Sequence, residues 1–369
     1  MTAPLDRIRP DVQAMHAYAV QDARGLLKLD AMENPYGLPP ALQAALGERL
    51  GALALNRYPG ARGDDLKAAL AAHVQLPEGQ ALMLGNGSDE LIGLLSMACD
   101  LPGATVVAPA PGFVMYAMSA QLQGLRYVGV PLTADFELDE AAMLAAIEKE
   151  KPAILYLAYP NNPTANLWDR EVVRRLVAAQ GAQGGLVVMD EAYQPFASHS
   201  WLDEIRLDPA AHAHVLLMRT LSKFGLAGVR LGYLIGPAAL VAQIDKVRPP
   251  YNVSVLNCEC ALFALEHADV FAQQAAAIRA ERDALLARLA DLPGVKVWPS
   301  DANMVLLRVQ GGAQGAHERA DAVFEGMKQR GVLVKNVSRM HPLLAQCLRL
   351  TVGSAEDNAR MLEALRQSL

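Results

Sequence analysis

Four polar groups of this chain stand where polarity is costly, at the ends of apolar runs. In HVLLMRTLSKFGLAGVRLGYLIG (214–236), Lys223 follows an apolar run through Arg-Thr-Leu-Ser, and Arg230 comes seven positions later among glycines. Lysine is strongly hydrated and almost never buried unpaired, so at a strand end it is either a salt-bridged structural group or a reactive amine. In MDEAY (189–193), Asp190 closes a second run, where a carboxylate needs a cation or several donors, and Tyr193 lies three residues on. YPNNPTAN (159–166) ends a third run with Asn161-Asn162-Pro163-Thr164, which by itself also reads as a plain turn. LGNGSDE (84–90) leaves a strand and opens a helix, offering free N–H groups and a favourable dipole to a phosphate. It has neither the G-x-G-x-x-G spacing of a dinucleotide site nor the GK[ST] ending of a P-loop, which disfavours nucleotide binding and a dehydrogenase.

An amine, an acid, hydrogen-bond donors and a phosphate cradle together ask for a ligand with an aldehyde, a ring nitrogen, a phenolic oxygen and a phosphate. Pyridoxal 5′-phosphate carries all four. Lysine would bond its aldehyde, the acid would pair with the ring nitrogen so that the ring accepts electrons, and hydroxyls, amides and an arginine would take its phosphate.

The elements that must position these groups recur as short apolar runs: ALML (81–84), TVVAPA (105–110), LRYVGVPL (125–132), AILYLAY (153–159), GLVVMD (185–190), HVLLM (214–218) and LGYLIG (231–236). Several are continuous instead of alternating, as in strands covered by helices on both faces. Between them DELIGLLSMACD (89–100), DEAAMLAAIEKE (139–150) and DREVVRRLVAAQ (169–180) open with acids and space their apolar residues as crossover helices. The expected fold is therefore α/β, a mostly parallel seven-stranded sheet flanked by helices. Ligands of such sheets bind beyond the carboxyl ends of the strands, which is where Lys223, Asp190 and Asn162 fall.

A long Ala/Leu/Arg/Glu-rich stretch, roughly 255–291, bridges to a smaller α+β unit. That unit contains strands within 296–309, 332–337 and 348–353 and a helix near 317–330. The expected division is an N-terminal segment (1–50) beside the small domain, a large cofactor-binding domain (51–255) and a small domain (256–369).

The chain has 369 residues, 52% of them hydrophobic and 20% charged, with no uninterrupted apolar run near the about 18 residues of a membrane span. MTAPLDRIRPDVQ has no secretory pattern, so a soluble cytoplasmic protein is expected. A net charge of −6 argues against a nucleic-acid surface. Cys99, Cys258, Cys260 and Cys347 do not have zinc-site spacing and read as free thiols, so no metal is expected.

One ordered series of motifs connects these parts: ENPYG (33–37), RYPG (57–60), GNGSDE (85–90), PGFVMY (111–116), PNNPTA (160–165), DEAY (190–193), RTLSKFGLAGVRLGY (219–233), YNVS (251–254), ANMVLLR (302–308) and LRLTVG (348–353). The series resembles the fold type I aminotransferases along nearly the whole chain, and within them the histidinol-phosphate aminotransferases. The resemblance implies that Lys223 holds the cofactor and shuttles a proton from the substrate's α-carbon. It implies that Asp190 binds the ring nitrogen, Asn162 and Tyr193 the phenolic oxygen, and that Phe113 stacks on the ring. Ser88, the amides from Gly87 to Asp89, Thr220, Ser222 and Arg230 would surround the phosphate, with Tyr58 reaching it from the partner subunit of a homodimer. Arg349 would grip the substrate, and Tyr36 and Asn34 would line its pocket. Histidinol phosphate and glutamate or 2-oxoglutarate are the substrates implied; an aromatic or broad-range aminotransferase and a phospho-amino-acid decarboxylase share every cofactor residue.

This chain departs from the family's pattern at three places. Ala165 stands where glycine is usual, Lys223 and Arg230 are one residue closer than in many relatives, and Lys335 replaces a frequent arginine. Lys335 reads as a solvated surface lysine.

Overall fold

The computed structural model describes residues 4–15, 17, 21–311 and 317–369. After a short strand β1 (Leu27–Lys28), seven strands build the large sheet: β2 (Gln80–Gly85), β3 (Thr105–Ala110), β4 (Arg126–Pro131), β5 (Ile154–Ala158), β6 (Leu186–Asp190), β7 (Val215–Thr220) and β8 (Gly232–Pro237). Their order is β2-β8-β7-β6-β5-β3-β4, with β8 antiparallel to both neighbours and every other pair parallel. Two antiparallel steps restore direction, so β2 points the same way as β7. The carboxyl ends of β2, β5, β6 and β7 therefore share one edge.

Every residue of β5 and β7 is buried, as continuous apolar runs between two helical layers require. β4, at the sheet margin, is mostly accessible and carries Arg126. Apolar side chains pack on both faces. One layer includes Leu155, Leu157, Val187 and Leu217, and the other Tyr156, Val188, Leu216 and Met218, in the alternation a pleated strand imposes.

A second sheet, of order β12-β13-β10-β9, is antiparallel: β9 (Val295–Val297), β10 (Met304–Val309), β12 (Lys335–Asn336) and β13 (Cys347–Thr351). Strand β11 (Val332–Leu333) pairs in parallel with β1. The helices Glu318–Gln329 and Ala355–Arg366 contribute Val323, Met327, Met361 and Leu365 to the core of this unit.

The bridging stretch is two helices, Val255–Glu266 and Ala268–Ala290, meeting at His267. The first lies beyond the boundary expected at 255, yet Cys258, Ala261, Leu262 and Ala264 join the core of the large sheet. Its buried Glu259 is bonded by Arg49 and Arg62, which ties the helices Pro40–Gly51 and Arg62–Val74 to it. The N-terminal segment thus divides: Leu29 and Met32 pack in the small unit's core, while Arg49 anchors to the large one.

Candidate active site

Where the four strand ends meet, a crevice of about 340 Å3 opens. Lys223, Asp190, Tyr193, Asn162 and Phe113 line it, and so do Ser88, Asp89, Thr220, Ser222 and Arg230. Ten of the residues singled out from the sequence thus share one cavity.

Asp190 ends β6 and is buried. Its Oδ2 accepts the Tyr116 hydroxyl at 2.6 Å and its Oδ1 the Ala192 amide at 3.1 Å. Burial raises its carboxyl to about 6, against the two hydrogen bonds, which favour the charged form. A buried acid of this kind suits a ligand that brings its own cation.

Lys223 lies in a tight turn after β7, and its Nζ donates to the Ala31 carbonyl at 2.8 Å. Burial lowers the amine to about 8; Arg349 and Arg230 push the same way, while Glu33 and Asp89 oppose them. The Tyr193 ring centroid is 6.0 Å from Nζ.

The anion cradle is built by close backbone approach. Gly87 opens the helix Gly87–Ala98 at φ +77°, and a Cβ there would come within 2.9 Å of the Arg230 guanidinium. A Cβ on Gly232 would sit 2.7 Å from the Gly87 carbonyl carbon. Arg230 is itself left-handed (φ 56°), which turns its side chain back to Ser222 Oγ at 3.4 Å and Asp89 Oδ2 at 3.3 Å. The close spacing of Lys223 and Arg230 is absorbed by Gly225 (φ 139°) and a 3-10 turn at Ala227–Val229. Thr220 Oγ1 accepts from the Ser222 amide and completes a rim of hydroxyls. An uncompensated acid, a lowered amine and this cradle fit the ring nitrogen, aldehyde and phosphate of pyridoxal phosphate.

Asn162 is positioned by a turn in which the Asn161 side chain donates to Thr164 Oγ1 (2.8 Å) and the Pro111 carbonyl (3.1 Å). Its Oδ1 accepts from Arg349 Nη1 at 2.7 Å; because a guanidinium only donates, the amide nitrogen is turned away from Arg349 and remains a donor. Arg349 Nη2 also donates to the Asp30 carbonyl at 2.7 Å.

Ala165 ends the same turn in the left-handed region, φ 67°, fully buried. The glycine usual there would be free of a strain of about 1–2 kcal/mol, while its missing methyl would open a small void. Ala165→Gly is therefore expected to stay within about 1 kcal/mol of the parent in urea unfolding. Ala165→Val, β-branched and overpacked, is expected to lose at least ~2–3 kcal/mol.

Five expected residues are not among those lining the crevice: Gly87 backs the cradle, Arg349 reaches it through Asn162, and three make other contacts. Asn34 does not line the crevice: its amide donates to Gln274 Oε1 at 2.8 Å and its Oδ1 accepts the Tyr36 amide. Tyr36 packs against the small unit's core, within the influence of Glu281 and Asp357. Tyr58 is 77% exposed and stacks at 4.5 Å on Tyr251, itself 57% exposed. Lys335 is not a solvated lysine. It is half-buried opposite Arg349 in the β12–β13 ladder, and burial, then Arg349, lowers its amine, opposed by Asp30. Residues not anticipated in the crevice include Tyr116, Glu33 and Met32. Tyr116 had one sequence signal, its position one helical turn after Phe113 in PGFVMY.

The sequence model of aminotransferase class I and II matches residues 24–365. The chain belongs to this family. Among aminotransferases it is 70% identical to the histidinol-phosphate aminotransferase of Paracidovorax citrulli (strain AAC00-1), covering 100% of this chain and 99% of that protein. It is 71% identical to the histidinol-phosphate aminotransferase of Acidovorax sp. (strain JS42), over 99% and 97% of the two chains. The crystal structure of histidinol-phosphate aminotransferase from Sinorhizobium meliloti in complex with pyridoxal-5′-phosphate superposes with a TM-score of 0.82 at 26% identity, covering 98% and 97%. Among the described residues of this aminotransferase no helix is long and apolar enough to cross a membrane.

Proposed function

We propose that this chain is a pyridoxal-phosphate-dependent aminotransferase that interconverts histidinol phosphate and 2-oxoglutarate with imidazole-acetol phosphate and glutamate, in histidine biosynthesis. The observation that carries the reading is the convergence of Lys223, Asp190 and the Gly87–Arg230 cradle on one crevice, in a chain 70–71% identical over its length to histidinol-phosphate aminotransferases.

The cofactor, when bound, supplies an electron sink that makes the substrate's α-proton removable. Lys223 Nζ would take that proton and deliver it two atoms along, to the carbon that carried the cofactor's aldehyde, and an amine lowered to about 8 has an appreciable neutral fraction near neutral pH. Asp190 holds the ring nitrogen, Asn162 Nδ2 and Tyr193 hold the phenolic oxygen, and Phe113 covers the ring. Ser88, Thr220, Ser222 and Arg230 take the phosphate with the amides of Gly87 to Asp89. Arg349 receives glutamate's α-carboxylate, and Lys335 beside it adds a second positive charge for the phosphorylated substrate. A homodimer completes the site, with Tyr58 crossing to the partner's cofactor phosphate; the exposed Tyr58–Tyr251 stack supports that placement.

The deciding experiment compares steady-state rates for histidinol phosphate, phenylalanine and tyrosine, each with 2-oxoglutarate. The expected result is a kcat/KM at least ~100-fold higher for histidinol phosphate, about 2.7 kcal/mol of discrimination. Equal values would make this a broad-range aminotransferase. In the same assay Arg349→Lys is expected to raise KM for glutamate about 10-fold or more, because an ammonium cannot reproduce the bidentate fork; kcat should change less.

A further inference from the structure

We propose that Tyr116 is a positioning residue for Asp190: its hydroxyl clamps one carboxylate oxygen and fixes how the acid faces the crevice. The inference rests on the aminotransferase reading, in which Asp190 is the partner of the cofactor's ring nitrogen.

The clamp is short, buried and rigidly mounted. Tyr116 sits in the first turn of the helix Val114–Gln123, is almost fully buried, and donates to Asp190 Oδ2 at 2.6 Å. Its ring lies flat on Tyr156, centroids 4.3 Å apart and planes 7° from parallel, and meets the Phe113 ring edge-on at 5.7 Å. Held on two sides, the phenol cannot swing away. The Ala192 amide on Oδ1 supplies the second point, so the carboxylate's orientation is set by one bond at each oxygen.

The surroundings make that bond consequential. The titratable groups facing Asp190 are Tyr116, Asp89 on the helix Gly87–Ala98, Glu191 next along its own chain, Tyr156 on β5, and Tyr193. None of these is a cation, and the two acids oppose ionisation. The Tyr116 hydroxyl and the Ala192 amide are what favour the charged form that a protonated ring nitrogen needs. Tyr116 also links the acid to Phe113, the residue placed to cover the ring, so one phenol registers both cofactor contacts against each other.

The test uses apo-protein titrated with pyridoxal phosphate across pH 5–9, followed by quenching of tryptophan fluorescence and by the cofactor's visible absorbance. Tyr116→Phe keeps the stacked ring and removes one oxygen. Its affinity for pyridoxal phosphate is expected to fall about 10-fold at pH 5 and about 2-fold at pH 7, as the pH at which affinity is half-maximal rises by about one unit, the size of a lost hydrogen bond to a charged group. Tyr156→Phe is the control: it alters the same stack, its hydroxyl lies beside Ser96 instead of bonding Asp190, and its profile should follow the parent's. A Tyr116→Phe profile superimposable on the parent's overturns the proposal while leaving the aminotransferase reading intact, and so does an equal shift in Tyr156→Phe. Failure of the parent to bind pyridoxal phosphate would overturn that reading, and the proposal with it.

Discussion

Lys223→Ala is expected to lower kcat by at least ~10^4-fold while the protein still captures pyridoxal phosphate without a covalent bond. The two effects separate because the groups that hold the cofactor are distributed. The phosphate cradle belongs to the helix Gly87–Ala98 and the Ser222–Arg230 turn, and the ring-nitrogen partner to β6, whereas the mobile proton has one carrier. Truncation also removes a donor from the Ala31 carbonyl but leaves no buried charge behind, so the fold should persist. The measurement pairs steady-state rates with borohydride reduction of the parent holoenzyme followed by peptide mapping. A labelled peptide that lacks Lys223 would refute the assignment. Partial recovery of the variant by a small primary amine would support the proton-carrying role.

Asp190→Asn is expected to reduce kcat by about 10^2–10^3-fold, the range for losing a preorganised electrostatic partner, and at the same time to stabilise the apo-protein above pH 6. The sign of the second effect follows from where the proton resides. Burial raises the Asp190 carboxyl to about 6, above the range it has in the unfolded chain, so between about pH 4 and 6 the native state keeps a proton that the unfolded state has released. Stability is therefore lost as pH rises through that window, by up to ~3 kcal/mol for a shift of about two units. Asparagine never ionises and escapes the loss. Urea unfolding of both apo-proteins at pH 5 and pH 8 should give a difference that grows with pH. A constant difference would mean that Asp190 is already neutralised by a partner, and retention of most of the activity would count against its role at the ring nitrogen.

The large sheet was legible because most of its strands are buried on both faces. Runs such as AILYLAY and GLVVMD have no solvent side to interrupt them, and the polar residues that end them mark the binding edge. The order of the strands was not written locally, since it depends on β8 inserting between β2 and β7. Asp190, Asn162 and Lys223 stood out as polar groups at apolar ends. Tyr116 did not, because a tyrosine in a helix beside apolar residues looks like core, and its bond joins residues 74 positions apart. Lys335 was misjudged because a lysine's own charge suggests solvent, and only the pairing of β12 with β13 sets it against Arg349. The division of helix Val255–Glu266 from Ala268–Ala290 was likewise hidden, since neither proline nor glycine interrupts residues 255–291.

The carbonyls of Asp30 and Ala31, consecutive along the chain, receive Arg349 and Lys223 respectively. The strand just before them is fastened by Leu27 and Leu29 amides to the Gly331 and Leu333 carbonyls. Main-chain atoms make both contacts, so drift in the identity of residue 31 costs the two cations nothing. Insertion or deletion of a single residue between 29 and 31 is different: it shifts the two carbonyls relative to the anchored strand, which would leave one cation without its acceptor. At this point the molecule tolerates spelling changes but keeps strict count of its letters.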